Sequence, residues 1–379
     1  MLMAHRLRCG WFLSFLFLLS LPSLPQQKVI KGTVLSATPQ ALTVQVEGKP
    51  VNIKIDPGCS FFIYGRRMLG IVVPVGQGVV VVAEGRPDGS LVAVSVSDEA
   101  TEARCKDELR EGTVATLVSA DPEAGTLTLR VKYGWNISCV LDRDAIVLKG
   151  GKPATLKDFK PGGAVGVTAR TRRGKWVVEA LADPITHYLL VVRGGRMGKV
   201  EGIDASKGIV AIGAAGRVYK VRPTERTWIV VGGRLSDLKG LKPGMEVLTA
   251  RIYTRGGISY TRAIVEAKSA VVLPPEVLLL LRSEPKVRRG RPIVGRLSSV
   301  EEEKAVVKDI LRGEVLLRLS ERTKFFKAGR AVKPSDFKAG EMVVAVPSGT
   351  RGETVYCGLL CDLKSFEAVS ERLRAEEAD

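Results

Sequence analysis

Side chains that could carry out chemistry are few in this sequence. Histidine occurs twice among 379 residues, and His187 is the only one after residue 27. Imidazole is the usual general base and a frequent metal ligand, so this scarcity argues against most catalytic triads and imidazole metal sites. The sequence also lacks a Cys-x-x-Cys pair, a His-Glu-x-x-His helix, a Walker-type loop and a nucleophile elbow. We therefore expect no enzymatic activity, no cofactor and no bound metal.

Cysteines give no clear disulfide pattern. Five follow residue 27, an odd number at irregular spacings. Cys357 and Cys361 stand four residues apart in an expected strand, where their Cα atoms would be about 13 Å apart, too far for a direct bridge. Small buried apolar side chains are the expected role of this pair. The redox state is left open for all five residues, which are Cys59, Cys105, Cys139, Cys357 and Cys361.

Basic side chains are the remaining candidates for a binding site. The sequence has 58 Lys and Arg against 40 Asp and Glu, giving a net charge of +18 and a pI near 9.8. Such an excess attracts polyanions, and clustered basic groups bind phosphates or carboxylates. A charged hairpin tip and a solubilising linker would explain the same clusters without a partner. The candidate polyanion-binding residues are Arg170, Arg172, Arg173 and Lys175 in one cluster and Lys286, Arg288, Arg289 and Arg291 in another.

The N-terminus has the order of an export signal. Arg6 and Arg8 precede an apolar run over residues 11–21, after which Ser, Pro and Gln residues follow. A membrane-spanning helix needs about 20 apolar residues, so this run is too short to span. We predict a signal peptide over residues 1–27 and an exported protein located in the periplasm, the cell envelope or the extracellular medium. An uncleaved N-terminal anchor is the alternative.

Four copies of one pattern position these side chains. Each copy opens with a glycine followed two residues later by an apolar residue, at Gly32, Gly112, Gly198 and Gly295. A glycine turn follows 33, 38, 34 and 34 residues later, at Gly65, Gly150, Gly232 and Gly329. Self-similarity at a nearly fixed period indicates a tandem array.

A second landmark is the phrase Leu-x-x-Phe/Leu-Lys-Pro-Gly. It begins at Leu156 in copy two and at Leu238 in copy three, and copy four keeps most of it. Copy one lacks it. Proline fixes φ and glycine tolerates a tight reversal, so the phrase predicts one helical turn followed by a new strand.

Alternating apolar residues between these turns predict five or six short strands per copy. That number, within roughly 65–75 residues, suits a small closed barrel. We predict an all-β chain of four tandem small OB-like β-barrel units with short connecting linkers and a C-terminal helix. Apolar clusters in the linkers should pack between neighbouring units. The predicted boundaries are 28–97, 111–183, 197–268 and 293–364 for the barrels and 365–379 for the helix.

The order of these landmarks resembles that of a family of bacterial exported domains of unknown function. The likeness extends from Lys31 to Lys364 and implies OB-like barrels in tandem behind a signal peptide, without an assigned activity. A partial resemblance to the S1-type RNA-binding barrel rests on the same Gly-x-Val opening. S1-type barrels stack bases on aromatic side chains. Here the aromatics do not recur at equivalent positions, and we expect core or interface roles for Tyr133, Trp135, Trp176, Trp228 and Tyr253.

These observations favour a non-catalytic exported protein that serves as a basic, multivalent binding or assembly platform. Several weak contacts on tethered units would add up on an anionic cell-envelope polymer. Nucleic-acid binding by S1/OB-like repeats is the alternative, favoured by the charge and disfavoured by the export signal. The sequence does not indicate an oligomeric state.

Overall fold

The computed structural model describes residues 27–68, 73–282, 292–351 and 354–366. Within these ranges strands dominate, and they form four sheets that follow one another along the chain. We call the four units barrels 1 to 4. The prediction of an all-β array of four tandem units is confirmed.

The strands of each barrel are consecutive in sequence. Barrel 1 contains β1 (Gln27–Ala37), β2 (Ala41–Val46), β3 (Lys49–Ile63), β4 (Arg66–Met68), β5 (Gly78–Gly85) and β6 (Leu91–Asp98). Barrel 2 contains β7 (Thr113–Asp121), β8 (Thr126–Arg130), β9 (Asn136–Lys149), β10 (Lys152–Pro153), β11 (Ala164–Arg172) and β12 (Lys175–Ala182). Barrel 3 contains β13 (Arg196–Asp204), β14 (Ile209–Ala214), β15 (Arg217–Val221), β16 (Trp228–Val231), β17 (Arg234–Leu235), β18 (Glu246–Thr249), β19 (Tyr253–Arg255), β20 (Ile258–Tyr260) and β21 (Ala263–Glu266). Barrel 4 contains β22 (Ile293–Val300), β23 (Lys304–Asp309), β24 (Gly313–Arg318), β25 (Lys324–Lys327), β26 (Arg330–Ala331), β27 (Met342–Arg351) and β28 (Thr354–Asp362).

Strand pairing gives each barrel the connectivity of an OB fold. In barrel 1, β1 pairs antiparallel with both β2 and β5, and β2 pairs with β3. Strand β6 pairs antiparallel with β5 and parallel with β3, so the five long strands form a closed circuit. Barrels 2 and 4 close in the same way through their parallel pairs β9–β12, β24–β28 and β25–β28. A closed five-stranded barrel of this kind leaves no long strand edge exposed.

The Leu-Lys-Pro-Gly phrase forms a single turn of 3₁₀-helix, as predicted. This turn precedes the fourth strand of the circuit in barrels 2, 3 and 4, at Leu156–Asp158, Leu238–Gly240 and Pro334–Asp336. Barrel 1, which lacks the phrase, has no such turn among its described residues.

A β-bulge in the first strand shows that the predicted opening of copy two is wrong. The ladder to the second strand shifts after Val34, Leu117, Val200 and Leu297, so these residues are equivalent. The opening position lies two residues earlier, at Gly32, Ala115, Gly198 and Gly295. Gly112 instead ends a linker helix at φ 103°, a conformation that favours glycine.

The glycine turn after the third strand has positive φ at both central residues, as in a type I′ turn. The paired residues are Tyr64-Gly65, Gly150-Gly151, Gly232-Gly233 and Ala328-Gly329. Counted from the corrected openings to the second turn residue, the spacings become 33, 36, 35 and 34 residues. When the positions are matched by structure, the number of residues between the two landmarks therefore varies less among the barrels than in the predicted alignment.

An acidic residue and a Ser or Thr three positions later fasten this turn to the chain that leaves the barrel. In barrel 1 the Asp98 carboxylate accepts the Tyr64 N–H at 2.9 Å, and the Thr101 hydroxyl oxygen accepts the Gly65 N–H at 2.9 Å. We call this arrangement the turn clamp. Barrel 2 keeps only the acidic half, through Asp183 and Gly150. The complete clamp recurs in barrels 3 and 4 through Glu266 with Ser269 and Asp362 with Ser365.

The linkers that begin at the clamps are helical. Asp98 also caps α1 (Glu99–Glu111) by accepting the Thr101 N–H at 2.9 Å. The chain leaving barrel 2 forms α2 (Pro184–Thr186) and a π-helical turn, His187–Val192. The chain leaving barrel 3 forms α3 (Ala267–Val272) and α4 (Val277–Arg282).

Each junction between barrels is filled by apolar side chains, as predicted for the linkers. Phe62 of barrel 1 and Leu109 of α1 belong to the same buried cluster as the core of barrel 2. A second cluster joins Leu189, Trp228 and Val344, and thereby the linker helices, barrel 3 and barrel 4.

Several predictions fall outside the described residues. These include the signal peptide and most of the predicted C-terminal helix, of which only residues 365 and 366 are described, both helical. Among the described helices, none combines the length and the apolar character needed to cross a bilayer.

Candidate functional site

The predicted basic cluster of barrel 2 lies on the hairpin between β11 and β12. Two of its members are paired with carboxylates of the same barrel: Arg170 lies 3.0 Å from Glu179, and Arg172 contacts Asp142 at 2.7 Å and Glu179 at 2.8 Å. The other two, Arg173 and Lys175, are exposed at the hairpin tip and pair with no carboxylate of the described residues. This hairpin therefore offers two free charges to a partner. The second predicted cluster, Lys286, Arg288, Arg289 and Arg291, lies outside the described residues.

Positive charge is distributed unevenly among the barrels. Barrel 3, residues 196–266, has 13 basic and six acidic side chains, a net charge of +7. Barrel 2, residues 113–182, has 11 basic and six acidic side chains, a net charge of +5. Barrels 1 and 4, residues 27–98 and 293–362, each carry only +2. Among the four barrels, the positive charge is therefore concentrated on the two central ones.

Barrel 3 differs from the others because both strands of its last hairpin are interrupted. Residues 250–252 separate β18 from β19, and residues 261–262 separate β20 from β21. The Thr261 hydroxyl lies 3.0 Å from the Ala250 carbonyl oxygen and 3.2 Å from that of Ala263. The single hydroxyl hydrogen can therefore satisfy the Ala250 carbonyl where the ladder breaks, since the Ala263 carbonyl also accepts the Ala250 N–H at 3.2 Å.

An open cleft of about 390 Å³ lies beside this break, between barrel 3 and the linker helices before and after it. Leu189 of the π-helical turn and the small residues Ala250 and Ala263 line it, and all three are buried. Leu281 of α4 contributes to the same lining. The volume falls within the range of roughly 300–1,000 Å³ that is typical of small-molecule sites.

Arginines surround the apolar lining of the cleft. Arg193 donates from Nε to the Tyr188 hydroxyl at 2.8 Å, and its guanidinium lies 5.2 Å from the centre of the Tyr188 ring. These contacts fix the orientation of Arg193 and leave its terminal nitrogens for other acceptors. Arg251 and Arg262 also line the cleft. No carboxylate in the described part of the chain forms an ion pair with Arg193 or Arg251.

Tyr253 lies at the start of the barrel 3 hairpin and lines the same cleft. Its side chain is 51% exposed, and its ring stacks on Tyr260 with centroids 5.7 Å apart and an interplanar angle of 26°. Tyr253 is therefore not a core residue, and its expected interface role stays a prediction. The expected core role is confirmed for Tyr133, Trp135 and Trp228, which are buried, whereas Trp176 is half-buried.

His187 and four of the five described cysteines are buried, and Cys59 is half-buried. His187 is 2% exposed, with Nε2 2.9 Å from the Thr168 hydroxyl, and burial lowers its pKa to about 4. All five described cysteines are free thiols, with no disulfide among them. Burial raises the pKa of Cys105, Cys139 and Cys357 to about 12, which disfavours the reactive thiolate. Across the described ranges, no group of three or more His, Cys, Asp or Glu side chains could hold a metal ion.

Neither a family model nor a curated protein matches the sequence. Among solved structures, the fold is similar to apo-CusF residues 6–88 from Escherichia coli, at 10% identity and a TM-score of 0.17, over 21% of this chain and 93% of that one. A multidomain protein with nucleic acid binding domains from Streptococcus pneumoniae matches at 12% identity and a TM-score of 0.15, over 65% and 72%. Drosophila Unr CSD456 matches at 14% identity and a TM-score of 0.16, over 64% and 98%. Similarity at these levels carries no functional argument.

Proposed function

We propose that this chain binds single-stranded nucleic acid through the last hairpins of barrels 2 and 3. The observation that carries the proposal is the half-exposed Tyr253 beside Arg193 and Arg251 in one cleft. In OB folds the loop between the fourth and fifth strands of the circuit is one of the elements that bind oligonucleotides and oligosaccharides. The β11–β12 and β19–β20 hairpins occupy that position here.

The two types of side chain would contribute different parts of the binding energy. Guanidinium and ammonium groups on the hairpins contact phosphates whatever the sequence of the strand, and this contribution weakens with salt. An exposed tyrosine ring supplies stacking, worth about 1–3 kcal/mol per base. A partner that uses both is a strand with accessible bases, because the bases of a duplex are already stacked on one another.

A platform for anionic cell-envelope polymers is the second candidate. It is favoured by the export-type pattern of residues 1–27 and by the net charge of +18. Arginine and lysine bind carboxylates and phosphates of any polymer, so this function would need the basic side chains and not the tyrosine. The requirement for Tyr253 separates the two candidates.

Binding should be measured with a labelled single-stranded oligonucleotide and, in parallel, with a labelled anionic polysaccharide of equal length. For the nucleic acid we expect Tyr253→Ala to raise Kd by roughly 5- to 150-fold, which corresponds to the loss of one stacked base. The matched control is Tyr64→Asn, since Tyr64 is 69% exposed in the turn of barrel 1 and asparagine tolerates its positive φ.

The contribution of the basic side chains is tested through the salt dependence of the binding constant. Arg251→Gln should reduce the slope of log K against log salt by about 0.7, the value for one phosphate contact on a single strand. Lys242→Gln is the control, because Lys242 is exposed at the opposite end of β18. Equal loss of affinity for oligonucleotide in the Tyr253 and Tyr64 variants would refute the nucleic-acid proposal. Polysaccharide binding that depends on arginines but not on Tyr253 would support the envelope platform instead.

A further inference from the structure

The cleft of barrel 3 has the features of a pocket for a small ligand in addition to those of a strand-binding surface. It is bounded by three separate parts of the chain: the π-helical turn, the interrupted hairpin and α4. Barrels 2 and 4 have unbroken strands where barrel 3 is interrupted, between the fourth and fifth strands of the circuit. The cleft is therefore a feature of barrel 3 and not of the repeat.

We propose that this cleft holds one nucleotide unit, with the base against Tyr253 and the apolar lining and the phosphate at Arg193 and Arg251. The inference rests on the proposed function and narrows it to a ligand of defined size. The unit could be a free nucleoside monophosphate or the terminal nucleotide of a strand, since both present a base joined to a phosphate.

The apolar lining explains why the ligand should carry a planar aromatic group. Leu189, Ala250 and Ala263 supply buried apolar surface, and the two alanines are small enough to leave space beside the strand break. Tyr253 adds an aromatic ring that is supported by Tyr260 on one face and half exposed to solvent. A base placed here would bury apolar area and stack on a ring that is already held in position.

The arginines explain why the same ligand should carry a phosphate. The Tyr188 hydroxyl engages Nε of Arg193, so the guanidinium is oriented before any ligand binds. An oriented guanidinium binds a phosphate through two parallel N–H donors at a reduced entropic cost. Arg251, on the interrupted strand, brings a second guanidinium to the same cleft.

The first arm of the test uses AMP and UMP with the full chain in isothermal titration calorimetry. We expect saturable binding of one nucleotide per chain. Arg193→Gln should weaken it by at least about tenfold, the usual effect of removing one charge-assisted hydrogen bond. Val192→Trp should abolish it by placing an indole at the partly exposed rim of the cleft. Lys242→Gln should leave it unchanged.

The second arm compares oligonucleotides of one sequence with and without a terminal phosphate. Tighter binding of the phosphorylated strand, lost in Arg193→Gln, identifies the terminal nucleotide as the source. Saturable AMP or UMP binding that the cleft variants weaken identifies the free nucleotide.

Three results would overturn the inference. In the first result, nucleotides do not bind, and strand binding is weakened by Tyr253→Ala but not by Arg193→Gln or Val192→Trp. The cleft then holds no nucleotide unit, while the proposed function stands. If laurate binds in the cleft and displaces the nucleotides at lower concentration, the site takes an acyl anion. Absence of binding to both nucleotides and strands would refute the pocket and the proposed function together.

Discussion

Replacement of Asp98 by alanine tests whether the turn clamp holds a linker helix to its barrel. The Asp98 carboxylate is 5% exposed and accepts the backbone N–H groups of Tyr64 and Thr101, both at 2.9 Å. It also accepts the Thr101 hydroxyl. Asp98→Ala removes all of these acceptors at once, at the point where β6 ends and α1 begins.

The size of the effect follows from the groups that lose their partner. Loss of an N-cap acceptor costs about 1 kcal/mol, and a part-buried amide left without an acceptor costs about 1–3 kcal/mol. We therefore expect the free energy of opening of α1 and the β3–β4 turn to fall by about 2–4 kcal/mol. That corresponds to roughly 30- to 1,000-fold faster hydrogen exchange if the amides exchange through local opening.

Hydrogen–deuterium exchange of the full chain, measured by peptide mass spectrometry, reports the opening of α1 and of the β3–β4 turn separately from the rest of the protein. Peptides covering residues 99–111 and 61–68 should lose protection, whereas peptides of barrel 4 should not change. Asp88→Ala is the control, because Asp88 accepts the Ser90 N–H in an exposed turn of the same barrel. If both variants exchange alike in α1, the clamp does not fasten the helix and the reasoning fails.

Three further predictions concern buried residues. Gly166→Ala should lower the thermal unfolding temperature of the full chain, because its new Cβ would lie 2.3 Å from the His187 Cβ, whereas Gly202→Ala, with open space around it, should not. His187 has a pKa near 4 when folded and about 6.5 when unfolded, so the unfolded chain binds the extra proton between these values and stability should fall as pH drops from 6.5 to 4. The His187→Gln variant should lack this part of the pH dependence, and an unchanged slope would refute the assignment. Native alkylation with iodoacetamide at pH 8 should spare Cys139, which is buried and has a pKa near 12, and should modify it once the chain is unfolded in urea.

The architecture could be predicted because it depends on backbone constraints that are visible in single residues. Positive φ in the turn after the third strand favours glycine, and the Lys-Pro-Gly phrase ends a 3₁₀ turn, so both recur in the sequence. The opening of copy two was misplaced because Ala115 replaces the glycine of the other copies and Gly112, a helix cap, lies nearby. Helix α1 was not predicted, although the sequence contains local signals for it. Asp98 is an N-cap residue, and Glu99 and Glu102 lie in the first turn.

The candidate site was less visible for a different reason. Charge density identified the barrel 2 hairpin, but sequence does not show that Asp142 and Glu179 pair with Arg170 and Arg172. The cleft of barrel 3 depends on a break in two strands and on two helical segments, His187–Val192 and Val277–Arg282, that are distant in sequence. No local sequence pattern records such an arrangement. The available signal was the density of Tyr and Arg over residues 251–262.

The packed junctions determine how the array responds to a long ligand. Independent barrels on loose linkers would behave as a freely jointed chain, in which each new contact depends on effective concentration. Here apolar cores continue from barrel 1 through α1 into barrel 2, and from barrel 2 through barrel 3 into barrel 4. If the last hairpins bind a strand as proposed, they would do so from barrels whose junctions are packed. Such an array would select a strand by the spacing of its charged groups as well as by their chemistry.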